Sequence, residues 1–314
     1  MNISKHAEGM LSYKESLGFS RNSYDYYLRD FCDYFSQNDY SQFTEETVLP
    51  WCVRRPTEMP EGFRRRITPL REFSKYLCAI GETDYVVPTS VFPIIHREIP
   101  YIFTDQELRN LFAECDKESF CVQSPCRHLI IRVIFRLIYC CGLRPNEGRE
   151  LLRSDFNEKE GTIFVRKNKA HKERVLPLSD DVATMCRNYL NETRRLFPDT
   201  EYMFPSPDGD SYNRKWLSAT FRRLWNASNP DSKAKKVRVY LLRHRFATAV
   251  FMKWLDEKED LYAKMPYLSA YMGHSHFEDT AYYIHLLPEK LLSSSTVDWS
   301  RFSSLIPEVE DDDE

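Results

Sequence analysis

Three prolines, Pro88, Pro93 and Pro100, separate two regions of this chain in which apolar residues recur at helical spacing. Proline lacks the backbone amide hydrogen and disfavours helical backbone at the residue before it, so this stretch is predicted to be an extended linker. A chain of 314 residues is long for one domain and suits two. We therefore predict a first domain with its linker over 1–98 and a second domain over 99–314.

The first domain is predicted to be helical. Apolar side chains, most of them aromatic, fall on one face of a predicted helix from Ser23 to Phe35. A second predicted helix runs from Phe63 to Ile80, and Gly81 follows it as a natural stop. The stretch between them, 50–60, is rich in turn-forming residues.

The second domain opens with a helix-capping pattern. Thr104 is followed by Glu107, which is the spacing at which each side chain caps the backbone amide of the other residue. Farther along, the mostly apolar run from Ile130 to Cys141 is typical of a helix in a protein core, and Gly142 is predicted to end it.

A short β-hairpin interrupts the helical patterns of the second domain. Two apolar, β-branched stretches, 162–165 and 174–178, flank a polar run and predict the two strands. Helices are predicted at 179–194, 213–226, 241–256, 264–272 and 278–286, with a charged turn at 256–260. The predicted fold class is therefore mainly α with a small antiparallel β-sheet.

The net charge of −3 argues at first against a nucleic-acid partner. However, the last seven residues contain six acids, and without those acids the charge becomes +3. Salt screens a distant acidic tail within about 10 Å, so phosphates respond to local basic surface. Basic residues cluster at 64–66, 166–174, 214–215, 222–223 and 233–238. One such cluster is typical of ordinary solvated surface, whereas several around one candidate site favour DNA.

The composition also bears on location and cofactors. No run of 18 apolar residues is present, and the N-terminus lacks the apolar stretch of a signal peptide. The nine cysteines are scattered, which is typical of reduced thiols in the cytoplasm. Cys121, Cys126 and His128 could be metal ligands, but no paired C-x-x-C motif supports such a site. We expect a cytoplasmic protein without a metal or other cofactor.

Several short motifs contain the residue types that phosphodiester exchange needs. That reaction requires a nucleophile, cations around the non-bridging oxygens and an acid for the leaving oxygen. Arg144 and Arg243 are candidates for the second role, because arginine stays charged and its fork binds two phosphate oxygens. Lys169 lies at the tip of the predicted hairpin, where a long amine can reach a DNA groove and donate a proton; Lys167 and Lys172 compete for that role.

In this order, the motifs resemble the active site of the tyrosine recombinases, the phage integrase family. The run from Lys169 to Leu178 is similar to the family's lysine, Lys-Glu-Arg and Pro-Leu pattern. The run from Arg243 to Thr248 resembles its Leu-Arg-His-x-Phe-Ala-Thr block, and Gly273-His274-Ser275 matches its Gly-His-Ser block. The resemblance implies that the catalytic residues are Arg144, Lys169, Arg243, His274 and the nucleophile Tyr283, for which Tyr282 is the rival.

One residue and one spacing depart from the family pattern. The family usually has a histidine three residues before the second arginine, where this chain has Tyr240. A tyrosine hydroxyl can donate a hydrogen bond to phosphate, so we keep Tyr240 as a candidate site residue, but the role of a general base is in doubt there. In addition, the 31 residues from Arg243 to His274 exceed the usual spacing.

The resemblance implies a helical core-binding domain and a catalytic domain that form a C-shaped clamp around double-stranded DNA. It implies site-specific recombination through a 3′-phosphotyrosyl link, by a tetramer on two DNA sites, with partner recombinases or DNA-bending proteins as further candidate partners. The departure at Tyr240 and the unusual tail favour integration, excision or transposition of a mobile element over the resolution of chromosome dimers. The segment from Leu286 to Ile306 is expected to dock on a neighbouring protomer or to fold back on its own domain.

Three other functions remain open at this point. A type IB topoisomerase-like enzyme would use the same chemistry to relax supercoils without exchanging partners. A non-catalytic accessory protein of the same fold would bind DNA without forming a covalent adduct. A helical interaction protein would not bind duplex DNA at all.

Overall fold

The computed structural model of the chain describes residues 1–95, 99–166, 173–234 and 236–286. The chain separates into two compact units, Met1–Glu98 and Ile99–Glu314. Each unit has its own hydrophobic core among the described residues. The DNA-binding and catalytic roles assigned to these two regions stay predictions.

The first unit is helical. Its α-helices are α1 (Ile3–Ser16), α2 (Asn22–Gln37), α3 (Glu45–Val48) and α4 (Pro60–Ala79). Helices α1, α2 and α4 pack against one another around buried aromatic rings, among them Phe31, Phe35 and Phe73. The two helices predicted from apolar spacing are therefore confirmed within three residues at each end, whereas α1 was not predicted.

Arg66 on α4 corrects the interpretation of the basic cluster at 64–66. Its side chain is only 1% exposed, and it donates hydrogen bonds to Glu58 and to the carbonyls of Trp51 and Val53. A guanidinium that is buried and paired in this way is unavailable to a phosphate. Arg66 thus holds the turn before α4 against the helix.

The second unit combines helices with one small sheet. Its α-helices are α5 (Asp105–Asp116), α6 (Arg127–Cys140), α7 (Pro145–Arg149), α8 (Asp180–Leu196), α9 (Arg214–Ser228), α10 (Tyr240–Asp256), α11 (Leu261–Met272) and α12 (Glu278–Ala281). The strands are β1 (Phe156–Asn157), β2 (Thr162–Val165) and β3 (Arg174–Pro177), in the antiparallel order β1-β2-β3. In the hairpin, Val165 pairs with Arg174. The predicted fold class, mainly α with a small antiparallel sheet, is confirmed.

Helix α6 lies in the core of the second unit and packs against α5, α8 and α10. Seven of its apolar residues between Ile130 and Ile138 are buried, as the mostly apolar sequence predicted. The capping pattern before α5 is confirmed: Thr104 accepts a hydrogen bond from the amide of Glu107 at 3.2 Å, and the Glu107 carboxylate accepts one from the amide of Thr104 at 2.9 Å. None of the helices in the described part of the chain is long and apolar enough to cross a membrane.

Two glycines end the helices that lead into the candidate site. Gly142 follows α6 with φ 57°, and Gly273 follows α11 with φ 66°. Both lie in the left-handed region, which an L-residue with a side chain adopts only at a cost. A Cβ atom at Gly142 would also lie 2.4 Å from the ring of Phe246, and one at Gly273 would lie 2.8 Å from Nη1 of Arg174. Glycine is therefore required at both positions.

The end of the described chain differs from its prediction in one detail. The helix predicted at 278–286 is a short α-helix, α12, followed by a 3-10 helix at Tyr282–Leu286. The charged turn predicted at 256–260 is present between α10 and α11, with Lys258 at φ 56° and Asp260 capping α11. The predicted docking segment beyond Leu286 lies outside the described residues.

Candidate active site

Arg243 lies where the ends of two helices meet. It is completely buried, and its Nη1 donates to the carbonyl of Gly142 at 2.6 Å while its Nη2 donates to the carbonyl of Met272 at 2.8 Å. The first carbonyl follows the end of α6 and the second ends α11, and the C-terminal end of a helix carries partial negative charge. The two sequence blocks that surround Gly142 and Gly273 are thus joined through one guanidinium.

Three consecutive carbonyls at the end of α11 each accept a hydrogen bond from a different arginine. Tyr271 accepts from Nε of Arg174, Met272 from Nη2 of Arg243 and Gly273 from Nη2 of Arg144, each at 2.8 Å. The last carbonyls of a helix have no partner within the α-helix, and here side chains satisfy them. Three arginines that are far apart in sequence are brought together in this way.

Glu147 joins two of these arginines from the other side. Its carboxylate accepts hydrogen bonds from Nη1 of Arg144 at 2.8 Å, from Nη2 of Arg174 at 2.7 Å and from the backbone amide of Arg144 at 2.9 Å. Burial alone would raise the pKa of this carboxyl, but the hydrogen bonds and charges of Arg174 and Arg144 lower it to about 2. Glu147 is therefore ionised at neutral pH and orients both guanidinium groups.

Arg144 is the more accessible of the two predicted catalytic arginines. Its side chain is 27% exposed, whereas Arg243 is completely buried. Its hydrogen bonds to Glu147 and Gly273 leave other donors of the five that a guanidinium carries. Arg144 can therefore contact an incoming anion without losing its own supports.

Tyr283 packs directly against this cluster. It is 2% exposed, and its ring stacks on His274 with 6.0 Å between ring centroids and contacts His244 at 5.4 Å. Burial raises the pKa of its hydroxyl above the usual range, while the charge and hydrogen bonding of Arg243 act in the opposite direction. The hydroxyl is thus neutral in this structure and lies beside the cation that favours its ionised form.

His274 completes the group. The imidazole is buried, and its Nδ1 lies 2.7 Å from the hydroxyl of the buried Thr280. Burial and the neighbouring charges of Arg243, Arg144 and Arg174 lower its pKa to about 3. His274 is therefore neutral near pH 7 and serves as a hydrogen-bond partner instead of a permanent cation.

The sequence model described as the phage integrase family matches residues 102–290, which is more than half of the chain. The chain belongs to the phage integrase family. The recombinase shares 26% identity over 294 residues with the y4rB integrase/recombinase of Sinorhizobium fredii, an alignment that covers 89% of this chain and 91% of the relative. It shares 24% identity with the tyrosine recombinase XerC of Chlorobaculum parvum, over 74% of this chain and 71% of the relative.

Solved structures show the same fold. The XerH site-specific recombinase matches with a TM-score of 0.63 and 20% identity, over 89% of this chain and 80% of that chain. The integrase of the Tn1549 transposon matches with a TM-score of 0.65 and 13% identity, over 93% of this chain and 97% of that chain. Family membership and the named relatives make the protein an enzyme, a site-specific recombinase of the tyrosine type.

Four of the six predicted site residues lie together in the recombinase. Arg144, Arg243, His274 and Tyr283 share hydrogen bonds, stacking or electrostatic contact. Tyr240, the first residue of α10, is 36% exposed and contacts the ring of His244, with 5.0 Å between centroids. Lys169 lies outside the described residues, as do its rivals Lys167 and Lys172.

Two residues of this site were not singled out from sequence. Arg174 belongs to the lysine motif, but nothing in the sequence was a reason to assign it a role of its own. In the structure it binds both Glu147 and the end of α11. His244 was quoted in the arginine block, yet its ring touches Tyr240, Tyr282 and Tyr283. Its position four residues after Tyr240 on α10 was the available signal, because that spacing puts two side chains on one helix face.

In the described ranges, no group of three or more His, Cys, Asp and Glu side chains is arranged to hold a metal ion. Of the residues considered from sequence, Cys126 is buried, and Cys121 contacts the side chain of Gln123.

Proposed function

We propose that this recombinase cleaves and rejoins double-stranded DNA with Tyr283 as its nucleophile. The observation that carries the proposal is the contact of Tyr283 with His274 and with the charge of Arg243, at the place where Arg144 is also held. Attack of the Tyr283 oxygen on phosphorus gives a 3′-phosphotyrosyl link and a free 5′ hydroxyl. The 5′ hydroxyl of a partner strand then reverses the link, so the bond energy is kept and ATP is not required.

The arginines stabilise the charge that develops on the phosphate. Arg144 is exposed enough to meet the DNA first, and Arg243 lies deeper beside the nucleophile. Both are already fixed by backbone carbonyls, so little reorganisation is needed as the transition state forms. In this proposal, His274 adds a hydrogen bond to a non-bridging oxygen, and Lys169 gives a proton to the leaving 5′ oxygen.

Exposure of the nucleophile accompanies DNA binding in this proposal. A side chain that is 2% exposed cannot reach a phosphate in a duplex. The 3-10 helix at Tyr282–Leu286, which carries Tyr283, therefore has to shift toward the DNA before attack.

The proposed partner is DNA with two recombination sites. The XerH structure contains its difH substrate, the Tn1549 structure contains transposon right-end DNA, and a lambda integrase dimer is bound to a core site. By analogy we propose that this chain binds duplex DNA, that four protomers act on two sites, and that the DNA belongs to a mobile element.

A covalent-trapping assay tests the proposal. Nicked duplexes, selected for binding from a randomised pool, are incubated with wild-type protein, with Tyr283→Phe and with the matched control Tyr282→Phe, and adducts are read on denaturing gels. The expected result is an adduct with wild type and Tyr282→Phe and none with Tyr283→Phe. An adduct that survives in Tyr283→Phe would move the nucleophile to Tyr282, and specific binding without any adduct would indicate an accessory protein. Relaxation of supercoils without a specific site would indicate the topoisomerase-like alternative.

A further inference from the structure

His244 is a half-buried histidine in an unusual position. It lies on α10 one helical turn after Tyr240, and its ring contacts those of Tyr240 at 5.0 Å, Tyr283 at 5.4 Å and Tyr282 at 6.4 Å between centroids. Three tyrosine rings, including that of the proposed nucleophile, thus surround one imidazole.

The Nδ1 atom of His244 is buried and has no hydrogen-bond partner within the described residues. A buried polar atom without a partner destabilises the fold, and most such atoms in proteins are paired. A fold that keeps this nitrogen unpaired beside a reactive side chain retains a lone pair or a proton for another use.

We infer that His244 is the general base that takes the proton of the Tyr283 hydroxyl during cleavage and returns it during rejoining. This inference rests on the proposed function, because it needs Tyr283 as the nucleophile. It also accounts for the absence of a histidine at position 240. The imidazole is supplied from the next turn of the same helix face, on the same side as Tyr240.

The neighbouring groups are less suited to this role. Tyr240 is a phenol, which does not act as a base near neutral pH. His274 already uses its Nδ1 in a contact with Thr280. Arg243 remains protonated and therefore cannot accept a proton.

The protonation state of His244 is suitable for a base. Burial and the charge of Arg243 lower its pKa to about 4, so the ring is neutral near pH 7. Such a pKa makes a weak base in the absence of DNA. A bound phosphate would bring negative charge between Arg144 and Arg243, and an anion near an imidazole favours its protonated form. DNA binding would thus raise the proton affinity of His244 when the proton has to be transferred.

Cleavage transfers one proton to His244 and another to the leaving 5′ oxygen. The O–H bond of Tyr283 breaks and its proton goes to a ring nitrogen of His244 while the tyrosine oxygen forms a bond to phosphorus. The bond from phosphorus to the 5′ oxygen breaks, and that oxygen takes a proton from the general acid. Rejoining runs the same transfers in reverse.

The test compares adduct formation on the nicked duplex by His244→Gln with that by His128→Gln. His128 is a matched control, because it also has a buried Nδ1 without a hydrogen-bond partner in the described chain but packs against Phe120. We expect His244→Gln to slow adduct formation by about 100-fold with unchanged DNA affinity, the usual effect of losing a general base. His128→Gln should form the adduct at the wild-type rate.

Adding Tyr240→His to His244→Gln distinguishes a base from a packing residue. An imidazole one turn earlier should restore part of the rate, whereas a structural defect at position 244 would persist. If His244→Gln fails to fold, replacement of His244 by triazolylalanine keeps the shape of the ring and lowers its basicity, and the rate should fall again. Wild-type rates in His244→Gln or in the triazole variant would overturn the inference, while absence of adduct in Tyr283→Phe would still support the proposed function.

Discussion

Arg66 and Arg243 are both almost completely buried, yet their surroundings differ in one respect. Arg66 pairs with the carboxylate of Glu58 at 2.8 Å and also binds two backbone carbonyls. Arg243 binds two backbone carbonyls, and within the described residues no carboxylate forms an ion pair with it. Burial alone therefore does not identify a catalytic arginine. The charge of Arg66 is neutralised by Glu58, whereas we propose that the charge of Arg243 is available to a phosphate.

The strongest test of this contrast is Arg243→Gln. Loss of a preorganised cation beside the reacting phosphate should reduce the rate of adduct formation by about 1000-fold. The free energy of unfolding should fall by no more than about 2 kcal/mol, because lost hydrogen bonds are offset by removal of a buried charge. Suicide-substrate kinetics and urea denaturation measure the two effects. A variant that cleaves normally would end the distinction between the two arginines.

Arg66→Met should lower the stability of the protein and leave its cleavage activity unchanged. Removing one partner of a buried pair leaves Glu58 without its counter-ion, so the free energy of unfolding should fall by about 3 kcal/mol. Cleavage per folded molecule should not change. The double variant Arg66→Met with Glu58→Gln is the control and should recover part of the stability in urea denaturation. A loss of cleavage in a folded Arg66→Met protein would contradict the structural role.

Glu147 should make the stability of the protein depend on pH. Its folded-state pKa of about 2 lies below the ordinary value of 4.5, so its contribution to stability is present above about pH 4.5 and is lost as the pH falls toward 2. The full contribution is about 3 kcal/mol, since each pKa unit corresponds to roughly 1.4 kcal/mol. Denaturation midpoints measured from pH 5 to pH 2 should decline less steeply in Glu147→Gln. Equal slopes in the two proteins would show that this carboxylate does not stabilise the arginine cluster.

Arg174→Lys should have the smallest of these effects. Lysine keeps the charge but cannot bind Glu147 and the Tyr271 carbonyl with one planar group. Loss of one charge-assisted hydrogen bond should slow cleavage by about tenfold through poorer positioning of Arg144. The cleavage rate at saturating DNA is measured. Arg187→Lys is the control, because Nε of Arg187 also donates to a backbone carbonyl, that of Glu158. An unchanged rate would separate Arg174 from the site.

Much of the fold could be predicted from apolar spacing, glycine stops and the Thr104 cap. Helix α1 was missed because its buried side has only four residues, Ile3, Ala7, Met10 and Leu11, within a polar segment. Strand β1 contains two residues, which is too short for an alternating pattern. Arg66 was assigned to a basic surface, since its partner Glu58 lies in the preceding loop and the pairing depends on how that loop folds back.

The residue types of the candidate site could be predicted from the sequence, but the contacts that hold them together could not. Glycine, arginine and histidine motifs pointed to Arg144, Arg243 and His274 as one group. The bonds that unite them run to backbone carbonyls, which have the same chemistry at every residue and leave no pattern in a sequence. The contact of His244 with Tyr283 likewise depends on where the 3-10 helix at Tyr282–Leu286 packs against α10.

The row of arginine-bound carbonyls from Tyr271 to Gly273 has a consequence for engineering chimeric recombinases. Each carbonyl accepts from a different segment of the chain, so the spacing of the three guanidinium groups is fixed by the peptide backbone. Insertion or deletion of one residue here would shift the carbonyls and break their hydrogen bonds with the three arginines. A crossover between two related enzymes should therefore be placed before Arg144 or after Thr280, so that the row and its arginines come from the same parent.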